Sequence, residues 1–183
     1  MSKSVWMVAL LLAATATAGC TTAAKEGLGV VRGASGVYAP IQPAAPAADA
    51  HPLAEYTNFE LGTFTDDFGG KVPTDLMMYA RAEFSKQLAG KKLPDNPGGK
   101  TLVIRGRILH YESADTLGMA IGPLEEVIAR AEMVDKETGN VLGVANVVGR
   151  TTVRVNLGVE KKGQGLAKAI VEWIDSLYPP RGQ

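Results

Sequence analysis

Thr101-Leu102-Val103-Ile104-Arg105-Gly106-Arg107-Ile108-Leu109-His110-Tyr111 is the stretch on which the fold turns. Successive side chains of a strand point to opposite faces. Leu102, Ile104 and Ile108 therefore share one side, and Arg105 and Arg107 the other. This is the pattern of a sheet with one buried face and one wet face. By the same parity His110 falls with Leu102 and Ile108. Downstream, Glu125 to Asp135 alternates in the same way, with Val127, Ala129, Ala131 and Met133 opposite Arg130 and Glu132. Lys136-Glu137-Thr138-Gly139 reads as a hairpin loop in which Gly139 takes a positive φ. Val141 to Val155 returns as a long strand, bent at Gly149.

Upstream, Tyr56 to Phe64 reads as a strand, followed by an Asp66-Asp67-Phe68-Gly69-Gly70 turn. A helix starts near Pro73, with Leu76, Met77, Ala80, Phe84 and Leu88 at helical spacing, and Gly90 ends it. A last helix runs from about Gly165 to Tyr178. Leu166, Ile170, Trp173, Ile174 and Leu177 form its apolar stripe, Gly163-Gln164-Gly165 its entry loop, and Pro179-Pro180 its stop. The order is β-α-β-β-β-α. The expected fold is α/β (α+β), a mixed sheet with both helices packed on one face. This domain spans 53–178, with a tail at 179–183.

The chain has 183 residues, with 19 basic and 19 acidic side chains. That balance offers no basic excess for nucleic acid, and no nucleic-acid partner is expected. Residues 20–52 are rich in Ala, Gly and Pro, most clearly in Ala39-Pro40-Ile41-Gln42-Pro43-Ala44-Ala45-Pro46. Proline fixes φ and removes a donor, so this stretch reads as an extended tether with a reach on the order of 100 Å. The competing arrangement lays the same peptide along the domain, with Val30-Val31 and Val37-Tyr38 docked.

The first 19 residues have the parts of a signal peptide: Lys3, the apolar run Val5 to Ala14, and small residues up to Gly19. The run is too short to span a bilayer. Cys20 is the only cysteine and closes Thr17-Ala18-Gly19-Cys20. That stretch resembles the lipobox of bacterial lipoproteins, although Thr17 stands where Leu is usual. The resemblance implies cleavage before Cys20 and acylation, palmitate included, of its sulfur. Thr21 rather than Asp after the cysteine implies sorting to the periplasmic face of the outer membrane. Ordinary cleavage after Ala18 is the alternative.

Chemistry is sparse. His51 and His110 have no partner at ligand spacing, so no metal and no cofactor is expected. Gly99-Lys100-Thr101 lacks the earlier glycine of a phosphate loop, since Pro94 holds that place, and a strand follows it. Asp66-Asp67 and Glu125-Glu126 read as solvated carboxylates, and Asp135, Glu137 and Gly139 stop short of a calcium loop. No catalytic residue is assigned. The long connection Ser113 to Pro123 carries Leu117, Met119 and Ile121 in alternation, side chains suited to a partner contact. A strand continuation or a flap over the core is the competing and blander reading.

The turns and strand starts carry a wider likeness. Lys71-Val72-Pro73, Val103 to Ile108, Val134 to Gly143 and Gly165-Leu166-Ala167 resemble segments of small bacterial envelope lipoproteins of unknown function. In outline these are similar to the lipoprotein activators of penicillin-binding proteins and to the N-terminal domain of TolB. The resemblance implies this fold and an absence of catalysis, and it carries over no partner and no binding residue. The first reading of the chain is a non-enzymatic module that binds another envelope protein through a sheet edge or the 113–123 connection. Alternatives are a structural subunit of an envelope secretion or surface-assembly complex and, with no residues to support it, an enzyme acting on the cell wall.

Overall fold

The computed structural model describes residues 34–43, 51–112, 125–151 and 158–180. Five strands and two helices follow in order: β1 (Ala34–Gln42), β2 (Asn58–Asp66), α1 (Asp75–Gly90), β3 (Thr101–Tyr111), β4 (Glu126–Asp135), β5 (Val141–Thr151) and α2 (Gly158–Leu177). The strands form one mixed sheet in the order β1-β5-β4-β3-β2. Only β2 and β3 run parallel, joined through α1; the other neighbours are antiparallel. The expected order from the second strand onward is present.

Alternation in β3, β4 and β5 sends Leu102, Ile104, Ile108, Val127, Ala129, Ala131, Met133, Ala145 and Val147 to one face, all buried. Leu76, Phe84 and Leu88 of α1 and Leu166, Ile170, Trp173 and Ile174 of α2 close over them. Burying a side chain of this size contributes roughly 1.5–3 kcal/mol. The helical stripes read from the sequence are those that pack.

Three expectations need correction. The stretch read as tether contributes β1, so the folded unit begins at Ala34 and not near Leu53. An edge position permits this despite the prolines. The Ala34 carbonyl accepts from Lys168 Nζ on the side away from β5. Pro40 follows at the same parity, so its missing N–H falls on the free edge, where no ladder bond is lost.

The second correction concerns α2, which starts at Gly158, seven residues before the expected Gly165. Gly163 and Gly165 are packing residues inside it. A Cβ on Gly165 would lie 2.3 Å from the Ser35 carbonyl and 2.9 Å from Gly149 Cα; one on Gly36 would lie 2.1 Å from the Gly165 carbonyl. One on Gly163 would lie 2.6 Å from the Leu76 carbonyl of α1. Glycine costs up to about 1 kcal/mol in a helix. Here it lets α2 touch the backbones of β1, β5 and α1; Gly149, read as a bend, belongs to this seam, and the register runs unbroken through it. Third, the β3–β4 register shifts between Ile108 and His110. The bulge reverses parity, so His110 is exposed and Tyr111 turns toward the core.

Candidate functional site

Two polar clusters lie at opposite ends of the sheet. At the hairpin end Asp135 closes β4 and is 3% exposed. Its Oδ1 accepts the backbone N–H groups of Glu137 and Thr138, both at 2.9 Å, and its Oδ2 accepts the Tyr56 hydroxyl at 2.7 Å. Lys100 lies 3.3 Å from the same oxygen and 2.6 Å from Glu55. The Thr138 N–H and the Tyr56 hydroxyl hold the Asp135 carboxyl well below the usual carboxylate range. Burial and the bond to Asp135 push Tyr56 up to about 12. Glu55 holds the Lys100 ammonium above its ordinary value. Gly139 takes a φ of 74°, as the hairpin reading requires. Each of these groups is engaged in fixing the turn, so the cluster acts as a structural clamp.

At the other end Lys162 of α2 is 1% exposed. Its Nζ donates to the Glu112 carbonyl and lies 2.7 Å from Glu125 Oε2. The ammonium sits 4.3 Å from the centroid of the Tyr111 ring. Burial, then the Glu125 carboxylate, push Tyr111 up to about 12. Glu112 and Glu125 flank the 113–124 connection, so this lysine ties both of its roots to α2. Glu125 is thus the anchor of a buried cation and not a free carboxylate. The sequence did carry a signal: Lys162 precedes Leu166 by one turn, on the same stripe.

The outer face of the sheet is covered by neither helix. Cross-strand neighbours on it pair opposite charges: Arg150 with Glu126 at 2.9 Å and Arg105 with Glu132 at 3.2 Å. Lys136 reaches Glu60 at 2.7 Å. One register row differs, running Thr65, Arg107, Arg130, Asn146 and Ala39 across all five strands. Arg107 and Arg130 stand directly opposite each other. Asp67 reaches Arg107 at 3.1 Å, and Arg130 Nε donates to Asn146 Oδ1 at 3.5 Å. The next row places Val37, Val148, Ile128 and His110 side by side. Sequence parity had put Arg105, Arg107, Arg130 and Glu132 on this face; only the register shows who faces whom.

Both sheet edges are blunted. Lys168 caps the Ala34 carbonyl, Pro40 interrupts the β1 edge, and its register slips after Pro40. On β2 Arg81 donates to the Gly62 carbonyl, and the register slips between Leu61 and Phe64. Charges, prolines and bulges are the usual devices against strand addition. Cys20, Leu117, Met119 and Ile121 lie outside the described residues. Among the described residues no group of three or more His, Cys, Asp or Glu could hold a metal ion, and no helix is long and apolar enough to cross a membrane.

The arrangement defines a class: a two-layer α+β module with one sheet face under the helices and the other, among the described residues, open. No protein-family model and no curated protein matches the sequence. Solved structures do match in fold. PelC from Paraburkholderia phytofirmans, determined as a dodecamer in two crystal forms, superposes with TM-scores of 0.52 and 0.50 at 16% and 12% identity. The matches cover 79% and 80% of this chain and 99% of each PelC chain. A minor lipoprotein from Acinetobacter baumannii aligns with a TM-score of 0.38 at 12% identity, over 66% of this chain and 94% of that one. The PelC superpositions establish a shared fold.

Proposed function

We propose that this chain is a lipid-anchored protein of the bacterial cell envelope. Acylated Cys20 holds it at the periplasmic face of the outer membrane, and its domain binds another envelope protein without catalysis. The observation that carries the binding role is the face of five strands that neither helix covers and that is open among the described residues. Its ion pairs keep it soluble, and its mixed charged and apolar rows suit a protein contact better than a small-molecule pocket. The blunted edges favour the face over strand addition as the contact.

Docking of β1 changes the geometry of the anchor. Thirteen residues separate Cys20 from Ala34. Fully extended, they reach about 45 Å. The domain therefore works closer to the bilayer than a tether ending at residue 52 would allow.

Mass spectrometry of the mature N-terminus tests the anchor: an acylated Cys20 is expected, and an unmodified thiol refutes it. A Cys20→Ser variant should leave the membrane fraction. A second reading, a structural subunit of an envelope assembly, is supported by the fold shared with a protein solved as a dodecamer. Light scattering of the Cys20→Ser form separates the two: a monomer supports the adaptor, and a defined oligomer supports the subunit.

A further inference from the structure

The outer sheet face obeys one rule and breaks it once. Arg150–Glu126, Arg105–Glu132 and Lys136–Glu60 each bring opposite charges together. Between them Arg107 and Arg130 oppose one another on adjacent strands, a placement that destabilises a sheet. Among the described residues Arg130 has no carboxylate partner; its side chain meets only an amide oxygen at the outer limit of hydrogen bonding. Stability does not explain this row. An external anion would.

We propose that the Arg107–Arg130 row docks a carboxylate-bearing segment of a partner protein. The inference rests on the protein-binding role given above and names the surface and the chemistry. Arg107 and Arg130 stand on adjacent strands, and each guanidinium is a planar fork of donors suited to bidentate carboxylate binding. Thr65 and Asn146 flank them on the same row with further polar groups. Asp67 already lies against Arg107, so the site takes a carboxylate in the free chain; being exposed, Asp67 can yield to a stronger one. The neighbouring row brings Val37, Val148 and Ile128 within one strand repeat, and Val37 is 51% exposed. An acidic protein segment with apolar side chains next to its carboxylate fits both rows, whereas a lipid headgroup or free phosphate would use only the arginines.

The test uses the full chain as its Cys20→Ser form, so that no acyl chain enters a bilayer, with poly-L-glutamate as the acidic probe and phosphatidylglycerol vesicles as the lipid probe. Arg130→Gln and Arg107→Gln should each weaken poly-L-glutamate binding about tenfold, the effect of losing one charge-assisted hydrogen bond. Arg105→Gln, which removes a paired arginine, should change it less than twofold. Arg130→Gln should also leave the melting temperature unchanged or raised, because it relieves like-charge repulsion; a merely structural arginine would lower it. The proposal is overturned if the Arg107→Gln/Arg130→Gln double variant binds poly-L-glutamate as the parent does. It is overturned equally if these variants lose vesicle binding while poly-L-glutamate never binds. An unmodified Cys20 with the arginine effects intact would sink the envelope reading and leave this surface standing.

Discussion

The two faces of one sheet are built to different tolerances. Under the helices, backbone meets backbone along Gly36, Gly149, Gly165 and Gly163, and there is no room for a methyl group. On the outer face exposed side chains meet across strands through ion pairs that water can replace. The covered face is where the fold is specified. The outer face is where a sequence can change without unfolding the protein, and so where recognition can reside.

That contrast can be broken most sharply at the glycine seam. Gly165→Val would drive a side chain into the Ser35 carbonyl and strip α2 from β1 and β5. Overpacking against backbone should cost more than about 3 kcal/mol. Chemical denaturation would detect it, and a loss below 1 kcal/mol would deny that the seam is tight. Next in size is Lys162→Met, which leaves Glu125 without its buried partner. A loss of about 3 kcal/mol is expected. It should be nearly restored by Glu125→Gln in the same chain, and independent, additive losses would show the pair is not coupled.

Tyr56→Phe removes one hydrogen bond to a charged acceptor and should cost about 1.5–3 kcal/mol, with no change in secondary structure by circular dichroism. Stability should also fall at both ends of the pH scale. Tyr56 and Tyr111 have folded values raised from 10.0 to about 12. Their contribution is full below about pH 10 and is lost as pH rises through 12. Asp135 is held below its ordinary 3.8, so its contribution is present above that pH and lost as the folded group protonates in stronger acid. Tyr56→Phe should flatten part of the alkaline loss. The smallest effect belongs to the outer face. Arg150→Gln removes the ion pair with Glu126 and should shift stability by no more than about 1 kcal/mol. A loss as large as that at Lys162 would erase the distinction between the two faces.

Much of the covered face was legible because hydrophobic burial writes its period into a sequence. Leu102, Ile104 and Ile108 give a strand, and Leu166, Ile170 and Trp173 give a helix, whatever else surrounds them. The hairpin at Gly139 was readable for the same local reason. β1 was legible only as the competing arrangement, a peptide docked through Val37 and Tyr38, because Ala39-Pro40-Ile41-Gln42-Pro43 carries no alternation strong enough to outweigh its prolines, and only an edge position excuses them. The start of α2 was hidden by Gly163 and Gly165, which look like a loop until another backbone lies against them. His110 was placed on the wrong side because a single inserted residue in β3 cannot be seen without its partner strand.

Period and polarity along the chain determined that a one-sided sheet lies under two amphipathic helices. These are local quantities, fixed by neighbours in sequence. The tertiary structure alone decided that Lys162 bridges Glu112 and Glu125, that Asp135 holds Tyr56, and that Arg107 faces Arg130. Those depend on strand order and register, which are set by the packing of the whole sheet against the helices.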